Sequence, residues 1–154
     1  MDINSDVQDW TWGLSLIGLT IIIHATVLVL MAMTATRIKT RLENTKFGQG
    51  RVIAILILLI GAAGLLLAGL HGIEAGIWAG AYVWLGALDS LSDAILYSVD
   101  SMTTRGSSGL MLQRRWQMMG ALEAADGMLL FGISTAFMFA LMQAYWPFFL
   151  HRRH

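Results

Sequence analysis

The chain has 154 residues, 56% of them hydrophobic and 13% charged, and ten Lys/Arg balance ten Asp/Glu. That is too apolar for a water-soluble domain of this length and marks an integral membrane protein. Cysteine is absent, which excludes disulfides, thiolate metal sites and cysteine nucleophiles, and Lys and Arg are confined to short flanking segments rather than a patch fit for nucleic acid.

The N-terminus carries Asp2, Asp6 and Asp9 and no basic residue. A cleaved signal peptide needs a positive start, so the first apolar segment is expected to be retained. This first span runs from about Trp12 to Met33 and contains His24. A basic stretch follows, with Arg37, Lys39, Arg41, Lys46 and Arg51. The second span is uncharged from Val52 to Leu70, and its apolar character persists to Leu88. At about 1.5 Å per residue that is longer than a bilayer is thick, so the helix either projects outward or bends near Gly72, Gly76 or Gly80. The third span covers about Gly127 to Leu150, with Arg152 and Arg153 behind it. Each span meets the requirement of roughly 20 apolar residues, and helices are the default because an open sheet leaves its backbone unsatisfied in lipid.

The basic segments are expected to lie in the cytoplasm by the positive-inside rule, which puts the N-terminus outside and the C-terminus inside a plasma membrane. Asp2, Asp6, Asp9, Glu74, Asp89, Asp93, Asp100, Glu123 and Asp126 then all fall on the outer side. They form either an acidic mouth that concentrates cations or ordinary solvated helix ends. Trp10, Trp12, Trp116, Tyr145 and Trp146 are expected at headgroup level.

Between the second and third spans, residues 89–112 are too short and too polar to cross. Ser90-Leu-Ser-Asp93 has the pattern of a helix N-terminus, a capping residue followed three positions later by an acid. A short helix over about 90–103 would bury Leu91, Ala94, Ile95, Tyr97, Val99 and Met102. The Gly/Ser-rich stretch beyond it cannot continue a helix. Non-helical backbone at membrane depth must be buried in protein or line a watery cavity, so this segment either re-enters the membrane or lies on its outer surface.

Tyr97-Ser-Val-Asp-Ser-Met-Thr-Thr-Arg-Gly-Ser-Ser-Gly109 resembles the pore-helix and filter region of the bacterial two-helix potassium-channel pore family. His71-Gly-Ile-Glu74, Trp78-Ala, Gly86-Ala87 and Trp116-Gln-Met-Met-Gly-Ala-Leu-Glu123, continuing to Ala136, are similar to a bacterial subgroup of these channel-like proteins. The resemblance covers about residues 52 to 145. It implies an all-α membrane fold with three transmembrane helices and a re-entrant pore helix and loop. Residues 1–51 would form an added N-terminal helix with its basic loop, and 52–154 the pore domain. It further implies a homotetramer around the third helix in a bacterial inner membrane, with monovalent ions as the partners of the pore.

The departures from that family carry the functional expectation. Its filter is Thr-Thr-Val-Gly-Tyr-Gly-Asp or close to it; here Thr103, Thr104 and Gly106 match, and Arg105, Ser107, Ser108 and Gly109 do not. Ser108 replaces a glycine that supplies a special backbone conformation, and Ser107 lacks the bracing aromatic ring. An unpaired guanidinium at position 105 is prohibitive behind a filter. Asp100 is placed to pair with it; otherwise Arg105 points into a hydrated vestibule, where a ring of such charges repels cations. The expected function is a membrane pore that is not potassium-selective, with a non-conducting structural or regulatory subunit of the same fold as the alternative.

His71 and Glu74 share a helix face and read as a hydrogen-bonded pair supporting the pore loop. Counted from the cytoplasmic ends of their apolar runs, His24 and His71 differ in depth by about 14 Å. That predicts no shared haem or metal ion within one chain, and no cofactor is expected. A metal- or proton-handling role for His24, His71 and Glu74 is the weakest of three readings. With no nucleophile–base pair or phosphate-binding glycine loop, an enzyme is not expected.

Overall fold

The structure is a computed structural model that describes residues 3–45, 48–106 and 109–150. Ser107 and Ser108 of the filter-like loop, Lys46, Arg152 and Arg153 lie outside the described residues. The described residues are helical, with no strand among them. Helix α1 spans Ile3–Asn44, α2 Gln49–Trp84, α3 Leu91–Met102 and α4 Gln117–Tyr145, and the short α5 covers Pro147–Leu150. Three of these, over Asp9–Asn44, Gly50–Trp84 and Arg114–Tyr145, are long and apolar enough to cross a membrane. Their large side chains face outward freely, with Leu65 77% and Leu58 71% exposed, as expected where the surrounding solvent is lipid.

Helix α1 does not stop where its apolar run stops. The basic segment continues it to Asn44, and Gly48 starts α2 almost at once. The two helices therefore form a hairpin about 63 Å and 54 Å long in its arms. Helix α2 is continuous from Gln49 to Trp84, with no break in helical structure at Gly72, Gly76 or Gly80. It ends at Gly86, whose φ of +67° is the left-handed conformation glycine adopts without a Cβ clash. That turn lets the Ala87 amide donate to Tyr82 O at 2.8 Å.

Ser90 caps α3 by accepting from the Asp93 amide at 3.4 Å, and the helix occupies the span read from the capping pattern. It buries only part of the face expected, with Ala94 and Met102 inside and Tyr97 half-buried. Ala94, Ser98, Asp100 and Met102 are inside, whereas Leu91, Ile95, Leu96 and Val99 are exposed in the single chain. The reason is its seat: α3 lies between α2 and α4, and the small or polar residues allow the closest approach. Gly127 of α4 makes the contact tightest. A Cβ there would fall on the Met102 backbone, 2.6 Å from its Cα.

After α3 the chain returns through a single 3₁₀ turn at Arg114–Trp116 into α4. Helix α4 begins ten residues earlier than the apolar run suggested, because Gln117–Asp126 is helical despite its acids. Two apolar clusters bracket the bundle. One, at the end that carries α3, groups Trp78, Tyr82, Ala94, Trp116 and Met119. The other, beside the α1–α2 turn, groups Ala35, Leu42, Val52, Leu56, Leu141 and Tyr145. Trp116 and Tyr145 are thus 4% and 1% exposed, packed in contacts between helices.

Candidate functional site

Three stripes of polar side chains meet between the two apolar clusters. On α1 they are Thr20 and His24, four apart; on α2, His71, Glu74, Trp78 and Tyr82; on α4, Glu123, Asp126 and Ser134. Each stripe follows the three-to-four spacing of one helix face. Nearly all are sealed from solvent: Thr20, Glu74 and Glu123 are 0% exposed, and His24 and Asp126 1%. An ionisable group in such a place is costly and marks function by default.

The stripes connect in three groups. Nearest the α3 end, Tyr82 donates to Glu123 Oε2 at 2.7 Å. The Ser98 hydroxyl sits between the other oxygen of Glu123 and the Ala75 carbonyl, 2.8 Å away. One turn further on, Thr20 donates to Asp126 Oδ2 at 2.7 Å and the Trp78 indole donates to the same oxygen at 3.1 Å. Deepest lies the histidine pair. His24 Nδ1 is 2.9 Å from Glu74 Oε1 and His71 Nδ1 is 3.2 Å from Glu74 Oε2. On the opposite side of both rings, Ser134 Oγ is 3.0 Å from His24 Nε2 and 3.2 Å from His71 Nε2. Phe131 stacks on His71 with centroids 4.0 Å apart.

His24 and His71 therefore share a depth, with ring centroids 5.3 Å apart, and the expected 14 Å offset is overturned. That count started each helix where its apolar run starts. In the structure His24 lies 20 residues from Asn44 and His71 22 residues from Gln49, a difference of about 3 Å at helical rise. The His71–Glu74 pair stands at its expected place, but it is part of a larger cluster that includes His24 and Ser134. Three ligating atoms, one each from His24, His71 and Glu74, lie within 4.8 Å of one another.

Of the acids expected at an outer mouth, Asp2 lies outside the described residues and the Asp6 side chain is not described; the other seven divide in two. Asp89 and Asp93 are exposed, whereas Asp9, Glu74, Asp100, Glu123 and Asp126 are buried in helix contacts. The periodic placement of Glu123, Asp126, Leu130 and Ser134 along α4 was the signal available in the sequence. Read as one face, it predicts a polar seam facing other helices rather than a row of solvated charges.

The filter-like residues follow α3 directly. Thr103 caps its end, donating to Val99 O at 2.7 Å. Thr104 and Gly106 adopt positive φ of 56° and 83°, sparsely populated backbone for a β-branched residue. Arg105 pairs with Asp100, Nη1 to Oδ1 at 3.0 Å, and its amide donates to Asp100 O at 3.0 Å. The guanidinium side chain remains 70% exposed in the single chain while Asp100 is buried, so the pairing expected for Arg105 is present and only its carboxylate partner is enclosed.

Two clefts adjoin this segment. One, of about 510 Å³, lies against Tyr97, Ser101, Thr104, Gly106, Gly120 and Ala124. A smaller one, of about 190 Å³, runs from Thr103 and Met102 to His71 and Phe131. Comparison of the chain with protein-family models, with curated proteins and with solved structures returns no match.

Proposed function

We propose that the chain is one subunit of a channel-type membrane assembly whose loop at Thr103–Gly109 is a rewritten filter that does not select potassium. The observation that carries this reading is the seat of α3. Its C-terminus is lodged between α2 and α4 on Gly127, and non-helical backbone with two left-handed residues follows at once. Met102 packs with Ala75 and Leu130, well inside the long helices, and irregular backbone at such a depth requires protein or water around it. Further copies around α4, a fourfold ring in this reading, would supply that cover, with the Arg37–Arg51 end in the cytoplasm.

Arg105 sets the selectivity. A guanidinium about 6 Å from an ion path, at an effective dielectric of about 20, opposes a cation by roughly 3 kcal/mol. A ring of four raises that opposition further, and Asp100 offsets part of it. The fold-back of Arg105 onto Asp100 also favours a second reading, a non-conducting subunit that keeps the same architecture.

Flux through purified protein in liposomes, under separate potassium, sodium and chloride gradients, decides between them. We expect weak flux with no potassium preference. Potassium flux exceeding sodium flux tenfold refutes the rewritten filter. Flux indistinguishable from empty liposomes in all three gradients leaves the non-conducting subunit.

A further inference from the structure

We infer that His24, His71 and Glu74 form an intramembrane site for a first-row divalent metal ion of the zinc(II) type, with Ser134 orienting both imidazoles. The inference does not rest on the pore reading, since it concerns a different set of residues and a different readout.

The donor set is the first reason. Two imidazoles and one carboxylate are ligands that zinc accepts, and three protein ligands leave a fourth position open. Donors around a tetrahedral zinc stand about 3.4 Å apart, given bonds of about 2.0–2.1 Å. The separations from Glu74 to the two Nδ1 atoms, 2.9 and 3.2 Å, are close to that spacing.

Hydrogen accounting is the second. With both imidazoles neutral and Glu74 ionised, the four contacts around the rings need four hydrogens. Each ring supplies one and Ser134 one. Consistent with that shortfall, His71 Nδ1 and Glu74 Oε2 are buried without a hydrogen-bond partner. A cation between the Nδ1 atoms and Glu74 removes the need for hydrogen there. Both rings then carry Nε2–H and donate to the two lone pairs of Ser134 Oγ, the outer hydrogen bond that metal-ligating histidines normally have.

Charge and access complete the case. Glu74 is fully buried, and a divalent ion would balance its carboxylate where uncompensated charge is expensive. The cleft from Thr103 to His71 brings one of the three ligands, His71, to its wall.

The test is cobalt(II) and zinc(II) binding to the purified full chain, with any affinity tag removed. The chain has no cysteine to compete, and its other two histidines are His151 and His154. We expect one ion per chain, unaltered in the double variant His151→Ala/His154→Ala and lost in His24→Gln and in His71→Gln. Ser134→Ala should weaken binding 10- to 100-fold. X-ray absorption of the zinc-loaded wild type should show two imidazoles at about 2.0–2.1 Å, a readout that does not depend on any variant folding. No binding below 1 mM, retention in His71→Gln, loss in the terminal double variant, or a spectrum without two imidazoles would each overturn the inference.

Discussion

The same three long helices are held together differently at their two ends. Beside the α1–α2 turn the contacts are apolar, Leu42, Val52, Leu56 and Leu141 among them, with one buried hydrogen bond from Tyr145 to Ala35 O at 2.5 Å. Toward α3 the helices are joined through Glu74, Glu123 and Asp126 and the hydroxyls, indole and imidazoles that surround them. In lipid the first kind of contact carries little direction, because acyl chains are as apolar as leucine and an interface can slide at small cost. The second kind has one satisfied arrangement. The difference teaches that the polar half sets how the helices are rotated and staggered, while the apolar half supplies close packing.

The comparison can be broken most forcefully at Gly127. In Gly127→Leu the new side chain meets backbone, not a movable side chain, and we expect a loss of about 3 kcal/mol, read as thermal unfolding in mild detergent. Because the chain has no cysteine, Ala94→Cys reports on α3 directly. Ala94 is 0% exposed, and its thiol should turn from protected to reactive when Gly127 is replaced. Glu123→Leu comes next. It leaves the Tyr82 hydroxyl without its acceptor, while Ser98 keeps the Ala75 carbonyl, and should cost about 2 kcal/mol, with Glu123→Gln recovering about half. In the apolar half, Leu56→Ala should cost about 1 kcal/mol, the packing part of a cavity without the transfer part that water would add. It should leave the Ala94→Cys thiol protected. A reactive thiol in that background would show that the two halves do not act separately. The smallest effect belongs to Tyr145→Phe, about 0.6 kcal/mol, the usual worth of a hydrogen bond between membrane helices.

The spans, the capped α3 and the Asp100–Arg105 pair were legible because each rests on local pattern: an apolar run, a Ser-x-x-Asp signature, two opposite charges five apart. The polar seam was not, because it depends on where helices end. The basic stretch after Met33 reads as a loop by polarity alone, yet Lys, Arg and Glu are good helix formers and continue α1 to Asn44. Eleven extra residues there bring His24 level with His71. The buried face of α3 was partly misread for a related reason. Apolar residues normally mark the inside, but in a membrane protein they also mark faces turned away from the chain's own core, and Leu91, Ile95 and Val99 are exposed in the single chain.

The hairpin of α1 and α2 has a consequence of the kind a folded ruler has. The zero mark is where the arms meet, Asn44 ending one and Gln49 starting the other, and every pairing between the arms is a matter of equal distance from it. One residue inserted between Ala25 and Asn44 would advance His24 by about 1.5 Å and swing it by roughly 100° about the helix axis. Thr20 would move with it, away from Asp126. The segment of α1 that looks least informative, a run of mostly aliphatic and basic residues with no site on it, is therefore held to its length as firmly as the facing stretch of α2 between Gln49 and His71.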